Sequence, residues 1–442
     1  MTFTARRTPA FNSPAAWAEI LGPGARYPAL EGAGTADVVV IGAGFAGLSA
    51  ARQLRLMDPG LDVVVLDALD IAEGTAGRNS GFMIDLPHDL ASENYAGGAG
   101  DRAMIALNRR AIGFARAAVA DYGIDPAFAD PAGKVNGAVS ARAVAHNVSY
   151  AAHLAALGEA SQTLDAADMA ELTGSRHYRA GLYTPGTLMV QPAGYIRGLA
   201  AGLARGGVRI FARSPVAEIA QAGGDWRVAT AQGHVTAPRV ILATNGHLES
   251  FGIARGRLMQ LFLYASITPV LPMGALAGAA RWGITPSDPM GTTVRRIDAP
   301  QGGDRIVTRT CATLRPGMTV SRRDLRRAAA VHRAKFDARF PALAGMAMAQ
   351  TWAGHLCLSR NGVAMTGEVA PGVFSACVQN GLGTARGTLT GIAAAQSALG
   401  EASEITAHFD AEAPPARLPP QPLAQWGANA YLRVKEHRAR AE

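Results

Sequence analysis

The residues with the plainest chemical meaning in this chain are three glycines and an acid: Gly42, Gly44, Gly47 and Asp67. They sit in DVVVIGAGFAGLSAARQLRLMDPGLDVVVLD, residues 37–67. An apolar run from Val38 to Ile41 meets Gly42, an Ala/Leu-rich stretch follows Gly47, and a second apolar run from Val63 to Leu66 ends at Asp67. That order predicts a strand, a tight turn, a helix and a second strand. In such a unit the first glycine permits the turn, the second lets backbone approach a pyrophosphate, and the third lets the helix lie close on the strand. Phe45 and Ala46 open the helix, whose unpaired N–H groups and positive dipole favour phosphate. The carboxylate of Asp67, with Ala68 after it, is placed to accept hydrogen bonds from both hydroxyls of a ribose. It lies 25 positions after Gly42 (67 − 42), past the roughly 20 usual in this unit, and the loop Asp58-Pro59-Gly60 accounts for the surplus. The unit predicts a bound nucleotide but does not by itself separate FAD from NAD.

A second polar, glycine-rich stretch follows directly, GTAGRNSG at 74–81. Gly77 to Gly81 would offer consecutive N–H donors, joined by the side chains of Arg78, Asn79 and Ser80, to a pyrophosphate or another polar group. A surface turn is the alternative. Further along, VILATNG (240–246) ends a buried strand in Thr244, Asn245 and Gly246, and NGLGTARG (380–387) opens a helix with Gly381, Leu382, Gly383 and Thr384.

The elements that must position these residues can be read coarsely. Helices are expected at about 101–121, 141–158, after Gln191-Pro192, from Ser321 or Asp324, and at about 385–399. Strand patterns fill 208–246, 261–270 and 291–314, the last two pointing to an antiparallel sheet. The implied fold is α/β, α+β overall: a Rossmann-like dinucleotide domain with a second, antiparallel-sheet substrate domain. The expected division is an arm over 1–34, a discontinuous nucleotide domain over 35–90, 190–250 and 350–402, a substrate domain over 91–189 and 251–349, and a surface extension over 403–442. Trp17 and Tyr27 are candidates to pin the arm.

Composition narrows the function classes. With 442 residues and 49% hydrophobic content the chain can bury a large core. Its net charge of +8 is nearly all arginine, dispersed and without interleaved aromatics, which argues against nucleic acid. The cysteines at 311, 357 and 377 form no CxxC, so neither a disulfide framework nor a metal site is expected. The N-terminus has no apolar h-region and no run of about 20 apolar residues occurs, so no membrane span and a cytoplasmic location are expected.

The ordered stretches 37–67, 74–81, 240–246 and 380–387 together resemble the FAD-dependent amine oxidoreductases of the D-amino-acid oxidase superfamily, the group of glycine oxidase, sarcosine oxidase and γ-glutamylputrescine oxidase. GTAGRNSG is similar to the flavin-side loop of the last branch. The resemblance implies FAD, bound extended, with the adenosine near Gly42 and Asp67 and the backbone of Val216 against adenine. It places the helix cap at 381–384 toward the flavin N1/C2 carbonyl, with Arg386 as an added cation. It implies oxidation of the C–N bond of an amine or amino acid by hydride transfer to flavin N5, the imine then hydrolysing, with O2 or another acceptor taking the electrons. An NAD-linked dehydrogenase using the same first unit is the alternative; it would need neither the 74–81 loop nor the 381–384 cap.

Candidates for the chemistry lie in the segments this resemblance places near the flavin. His88 could poise a substrate amine as free base, or belong to a turn, and His355 could contact the ring or be a satisfied core residue. Arg295 or Arg296 is the first choice for a substrate carboxylate, since alternation would send only one inward, and Arg360 is the second. Tyr183 and Gln191 could line the pocket. Cys357 occupies the place of a flavin-linked cysteine in the sarcosine oxidase branch, although a buried, inert thiol is the more common case. Lys134 is the only lysine of the middle region, which leaves a flavin-side lysine that promotes reaction with oxygen hard to assign. Which amine and which oligomeric state are not legible.

Overall fold

The computed structural model describes residues 1–87 and 100–442. Strand Val38–Ile41 pairs in parallel with Val63–Leu66, and helix Phe45–Met57 crosses between them. Both strands are buried end to end, as strands covered on two faces must be. Alternation divides their side chains. Val38, Val40, Val63 and Val65 join the core under helices Phe45–Met57, Pro192–Arg205 and Ala385–Ala398. Val39, Ile41, Val64 and Leu66 join a second core with Ile219, Trp226, Val228 and Val235.

These strands belong to a six-stranded sheet in the order Arg209–Phe211, Val63–Leu66, Val38–Ile41, Arg239–Leu242, Val373–Cys377, Met365–Ala370. Every pairing in it is parallel except the last. Three long-range segments of the sequence thus meet in one sheet, with the strand ends at Gly42, Asp67 and Ala243 side by side. A five-stranded sheet built from Thr2–Thr4, Glu218–Ala222, Asp225–Ala229, Gly233–Ala237 and Gly32–Thr35 supplies the residues of the second core.

An eight-stranded sheet forms the other large layer, in the order Gln350–Ser359, Leu258–Ile267, Arg305–Leu314, Thr293–Ile297, Trp282–Pro286, Lys134–Ala138, Ala180–Thr184, Gln162–Leu164. It is antiparallel as the alternation predicted, save one parallel junction between Trp282–Pro286 and Lys134–Ala138. Helix Arg322–Arg339 packs on it through Ala328, His332 and Phe336; Ser321 caps that helix and Asp324 closes the capping box.

Both termini are more integrated than an arm and a surface extension. Thr2–Thr4 extends the five-stranded sheet, and Trp17, in a short helix Ala16–Glu19, is fully buried with its indole N–H donating to the Asn79 carbonyl at 2.8 Å. At the other end, helix Leu423–Arg438 lies along strand Arg305–Leu314 where that strand runs past its neighbour. Glu436 and Asn429 accept from the backbone N–H groups of Ala312 and Leu314 at 2.9 Å each, and Arg433 donates to the Ala312 carbonyl. A free strand edge is thereby given side-chain partners. No helix among the described residues is long and apolar enough to cross a membrane.

Candidate functional site

An elongated cavity runs between the two large sheets. One end is built on the dinucleotide unit, lined by Gly42, Gly44, Phe45, Ala46, Asp67, Ala68 and Val216. Gly42 leaves the strand at φ 109°, a region open to glycine, and a Cβ at Gly47 would fall 1.7 Å from the Gly42 carbonyl oxygen. Gly47 therefore serves the packing beneath the cavity and does not line it. The Asp67 carboxylate accepts from the N–H of Ala43 at 2.7 Å and of Leu69 at 2.8 Å, which fixes its direction. Burial raises its pKa while these two bonds oppose the shift.

The loop at 74–81 forms the next stretch of wall, with Arg78, Asn79 and Ser80 facing the cavity. Its polar groups are used differently from the sequence reading. Arg78 donates to the carbonyls of Glu73 and Ser13 at 2.8 Å each and stacks over Phe11, 3.8 Å from the ring centre, so its charge clamps the N-terminal segment onto the cavity. Asn79 closes its own loop, donating to Ala76 and accepting from Gly81. Gly77 and Gly81 stand behind the wall, where a Cβ would strike the Ala72 and Val190 carbonyls. The strand end at 243–245 follows, with Thr244 and Asn245 lining, and then Gly381 and Gly383 before helix Ala385–Ala398. Leu382 and Thr384 do not line the cavity; the Thr384 hydroxyl donates to the Phe82 carbonyl at 2.7 Å.

The eight-stranded sheet supplies the remaining wall, with Leu263, Tyr264, Ala265, Val307, Arg309 and the run Gly354 to Cys357. His355 is buried and its Nε2 meets Gln260 Oε1 at 2.9 Å; burial, with His247 nearby, depresses its pKa to about 3. Burial pushes the Cys357 thiol well above its ordinary pKa, which keeps it protonated and a poor nucleophile. Arg309 is the cation that the sequence reading missed. Its half-buried guanidinium has neither a hydrogen bond nor an ion pair among the described residues, and burial lowers its pKa to about 10, leaving it charged at neutral pH. The signal was an arginine in the middle of an otherwise apolar and Thr-rich strand, RIVTRTCATL, two positions from cavity-lining Val307.

The arginines chosen from sequence are elsewhere. Both Arg295 and Arg296 are buried, because the strand that carries them is covered on both faces. Arg295 donates to the carbonyls of Val190 and Ser80 and to Gln301 Oε1. Arg296 makes a two-pronged ion pair with Asp304 at 2.9 Å and donates to three carbonyls of the 276–279 turn. Arg360 is exposed in a turn, and Arg386 is bound to Glu412 and the Gly362 carbonyl. None of the four lines the cavity. Gln191 caps helix Pro192–Arg205, Tyr183 donates to the Ala132 carbonyl, and Lys134 is tied to Asn136 and Thr285, all away from the cavity. Gly246 backs onto Gln260 and His355. His88 lies outside the described residues.

The cavity fits FAD. Two helices, Phe45–Met57 and Ala385–Ala398, point N-termini without side-chain caps at it, and among the described residues a Cβ at Gly383 would meet nothing within 4 Å and the buried Asn245 Oδ1 has no partner. Helix Phe45–Met57 with Gly44 and Asp67 would hold the phosphates and ribose, and the 381–383 turn would face the ring.

Comparison with known proteins agrees. The chain is 25% identical over 398 residues to "Probable oxidoreductase OrdL" of Haemophilus influenzae, covering 86% of this chain and 87% of that protein. A 28% identical match to the Rhizobium meliloti protein of the same description spans 58% of that relative's length. A segment of 51 residues, 12% of each chain, is 49% identical to the γ-glutamylputrescine oxidoreductase of Escherichia coli. Among solved structures, glycine oxidase from Geobacillus kaustophilus superposes with a TM-score of 0.67 at 16% identity, over 84% of this chain and 96% of that one. L-amino acid deaminase from Proteus vulgaris gives 0.65 at 18% identity, over 86% and 94%. Residues 37–397 match the DAO family, described as FAD dependent oxidoreductase, and the chain belongs to that family of FAD-dependent flavoproteins.

Proposed function

We propose that this protein oxidises the C–N bond of an amino acid or a carboxylate-bearing amine, with Arg309 holding the substrate carboxylate. The observation that carries the reading is the unpartnered Arg309 guanidinium in the wall of the FAD cavity. A half-buried cation without a partner among the described residues is incompletely solvated, and a bidentate carboxylate is the group its geometry best accepts. FAD, when bound, supplies the acceptor of a hydride equivalent at N5 from the carbon that bears nitrogen. The chain's own residues bind and orient. Arg309 fixes the acid end, Tyr264, held protonated by a pKa near 12, and Leu263 give an apolar flank, and His355 stays neutral beside them. No residue is required to take a proton from the carbon; the imine leaves and hydrolyses in water. The glycine and L-amino acid substrates in the names of the structural neighbours support this substrate class.

The test is anaerobic bleaching of the purified yellow protein by a panel of amino acids and of the corresponding amines without a carboxylate, followed by readmission of air to report the acceptor. Bleaching by amino acids is expected. In Arg309→Met, kcat/KM for them should fall roughly 10- to 100-fold, the worth of a charged hydrogen-bonded contact, and that for a simple amine should barely change. Equal losses for both would remove Arg309 from the carboxylate.

A further inference from the structure

We infer that Glu249 and Gln260 form a positioning pair that presents His355 to the cavity as a hydrogen-bond acceptor through Nδ1, and that this nitrogen receives an N–H of the substrate amine. The inference rests on the amine-oxidising reading above for its second half and on geometry alone for its first.

The tautomer follows from the partners. Gln260 is fully buried, and its Nε2 lies 3.1 Å from the Gly246 carbonyl and 2.9 Å from Glu249 Oε2. Both are acceptors with nothing to donate, so the amide nitrogen belongs there and both its hydrogens are engaged. Oε1 is left facing His355 Nε2 at 2.9 Å. An amide oxygen only accepts, so the single proton of the neutral ring sits on Nε2 and the bare nitrogen is Nδ1. Glu249 is itself held, accepting from the Gly256 N–H at 3.1 Å.

The ring cannot turn away. It stacks on Phe262 with centroids 4.9 Å apart and planes at 23°, and His247 meets it edge-on at 5.6 Å. Behind it, a Cβ at Gly246 would fall 2.3 Å from Gln260 Oε1 and 2.7 Å from His355 Cε1, so glycine alone fits. Nδ1 has no protein partner among the described residues, and the residue lines the cavity.

The groups facing this ring are His247 from the 245–251 turn, Glu249 through Gln260, and Cys357 on its own strand, with Arg7 beyond His247. Burial and His247 keep the imidazole neutral, so it accepts a hydrogen bond without taking the proton. The reacting amine is a free base whose N–H groups need acceptors in an apolar cavity, and a ligand lacking N–H gains nothing from Nδ1.

The test uses the FAD-loaded protein with 15N-labelled histidine, its His355 signals assigned by their loss in His355→Gln. The expected pattern is a neutral ring protonated at Nε2, unchanged from pH 7 to pH 5. Gln260→Leu should give mixed tautomers and lower kcat/KM for the amino acid roughly 5- to 100-fold, the range for a lost hydrogen bond to a buried donor. Binding of a carboxylic acid without an amine, read from the flavin spectrum, should stay within twofold. In Gln260→Glu, a carboxylate at Nε2 should raise the His355 pKa and convert the acceptor into a donor, adding an ionisation to the pH profile. A ring protonated on Nδ1, or titrating near 6.5 in the native protein, overturns the pair. Equal loss for amine and non-amine ligands overturns the contact with substrate. Failure of every amine to bleach the flavin overturns that contact and the proposed reaction together, and leaves the tautomer to be judged by its own signals.

Discussion

Arginine at the residue scale divides into two kinds here. Arg78, Arg295, Arg296 and Arg386 are held by carbonyls and carboxylates, and Arg309 is not. The two kinds should respond oppositely to the same change. Arg295→Met strands the Val190 and Ser80 carbonyls and Gln301, which should lower unfolding stability by about 3 kcal/mol and leave KM for substrate near its native value. Arg309→Met should raise KM with little loss of stability. A urea titration beside a KM measurement decides, and a stable Arg295→Met protein with weakened substrate binding would reverse the assignment. Sequence could not sort these side chains, because what distinguishes them is the partner each finds across the fold. The chain shows Arg295-Arg296 as a conspicuous pair and Arg309 as one arginine among Thr and Cys. Cys357 is a related case. Its position beside the cavity was legible, but its state depends on burial, which keeps the thiol protonated. Acid precipitation of the yellow protein should therefore release all the flavin into the supernatant; colour retained by the pellet would establish a covalent link.

At the scale of elements, legibility follows the range of the forces involved. Strand Val38–Ile41, helix Phe45–Met57 and strand Val63–Leu66 are local, set by apolar runs and by Gly42 and Gly47, and they stand where the pattern places them. Helices Asp101–Tyr122, Ala141–Leu157 and Ala385–Ala398 likewise match their periodicity and, for the first two, their closing glycines. Sequence pattern is silent where an element is justified by something distant. The helix Leu423–Arg438 has no buried residue of its own and a weak pattern, and its role as cover for the edge at Ala312 and Leu314 exists only once the sheet is assembled. The packing of helix Ala385–Ala398 on helix Phe45–Met57 is another long-range contact with a one-residue cause. A Cβ at Gly391 would fall 2.1 Å from the Ala46 carbonyl oxygen and 3.0 Å from the Ala50 nitrogen. Both obstacles are backbone, so Gly391→Ala must push apart the two helices whose N-termini face the cavity. Overpacking of this kind costs about 1–3 kcal/mol or more. The variant should be less stable in urea and should release FAD more readily, seen as a rise in free-flavin fluorescence on dilution; native FAD retention would show that the spacing of these helices does not shape the cofactor site.

Across the whole molecule, three buried or half-buried histidines are held in neutral form, and they shape its response to acid. His332, on the buried face of helix Arg322–Arg339, sits between Ser266 and Thr310, and burial depresses its pKa to about 4. His355 is depressed to about 3, and His247 beside it to about 4, in both cases chiefly by burial. In the unfolded chain each titrates near 6.5. Between the folded and unfolded values the unfolded state holds more protons, so stability rises with pH through that window and is lost as pH falls below about 6.5. At pH 5.5 the two most buried rings, His332 and His355, each cost about 1.4 kcal/mol, roughly 3 kcal/mol together and a large share of an ordinary domain's stability. The eight-stranded sheet carries Ser266, Thr310 and His355, so acid should loosen the wall that bears Arg309 first. Urea midpoints of the FAD-loaded protein at pH 7.5 and 5.5, with hydrogen exchange across 305–314 and 350–359, measure this directly. A lower midpoint at pH 5.5 with exchange rising first in those strands is expected; equal midpoints would mean that these histidines take up protons without cost to the fold.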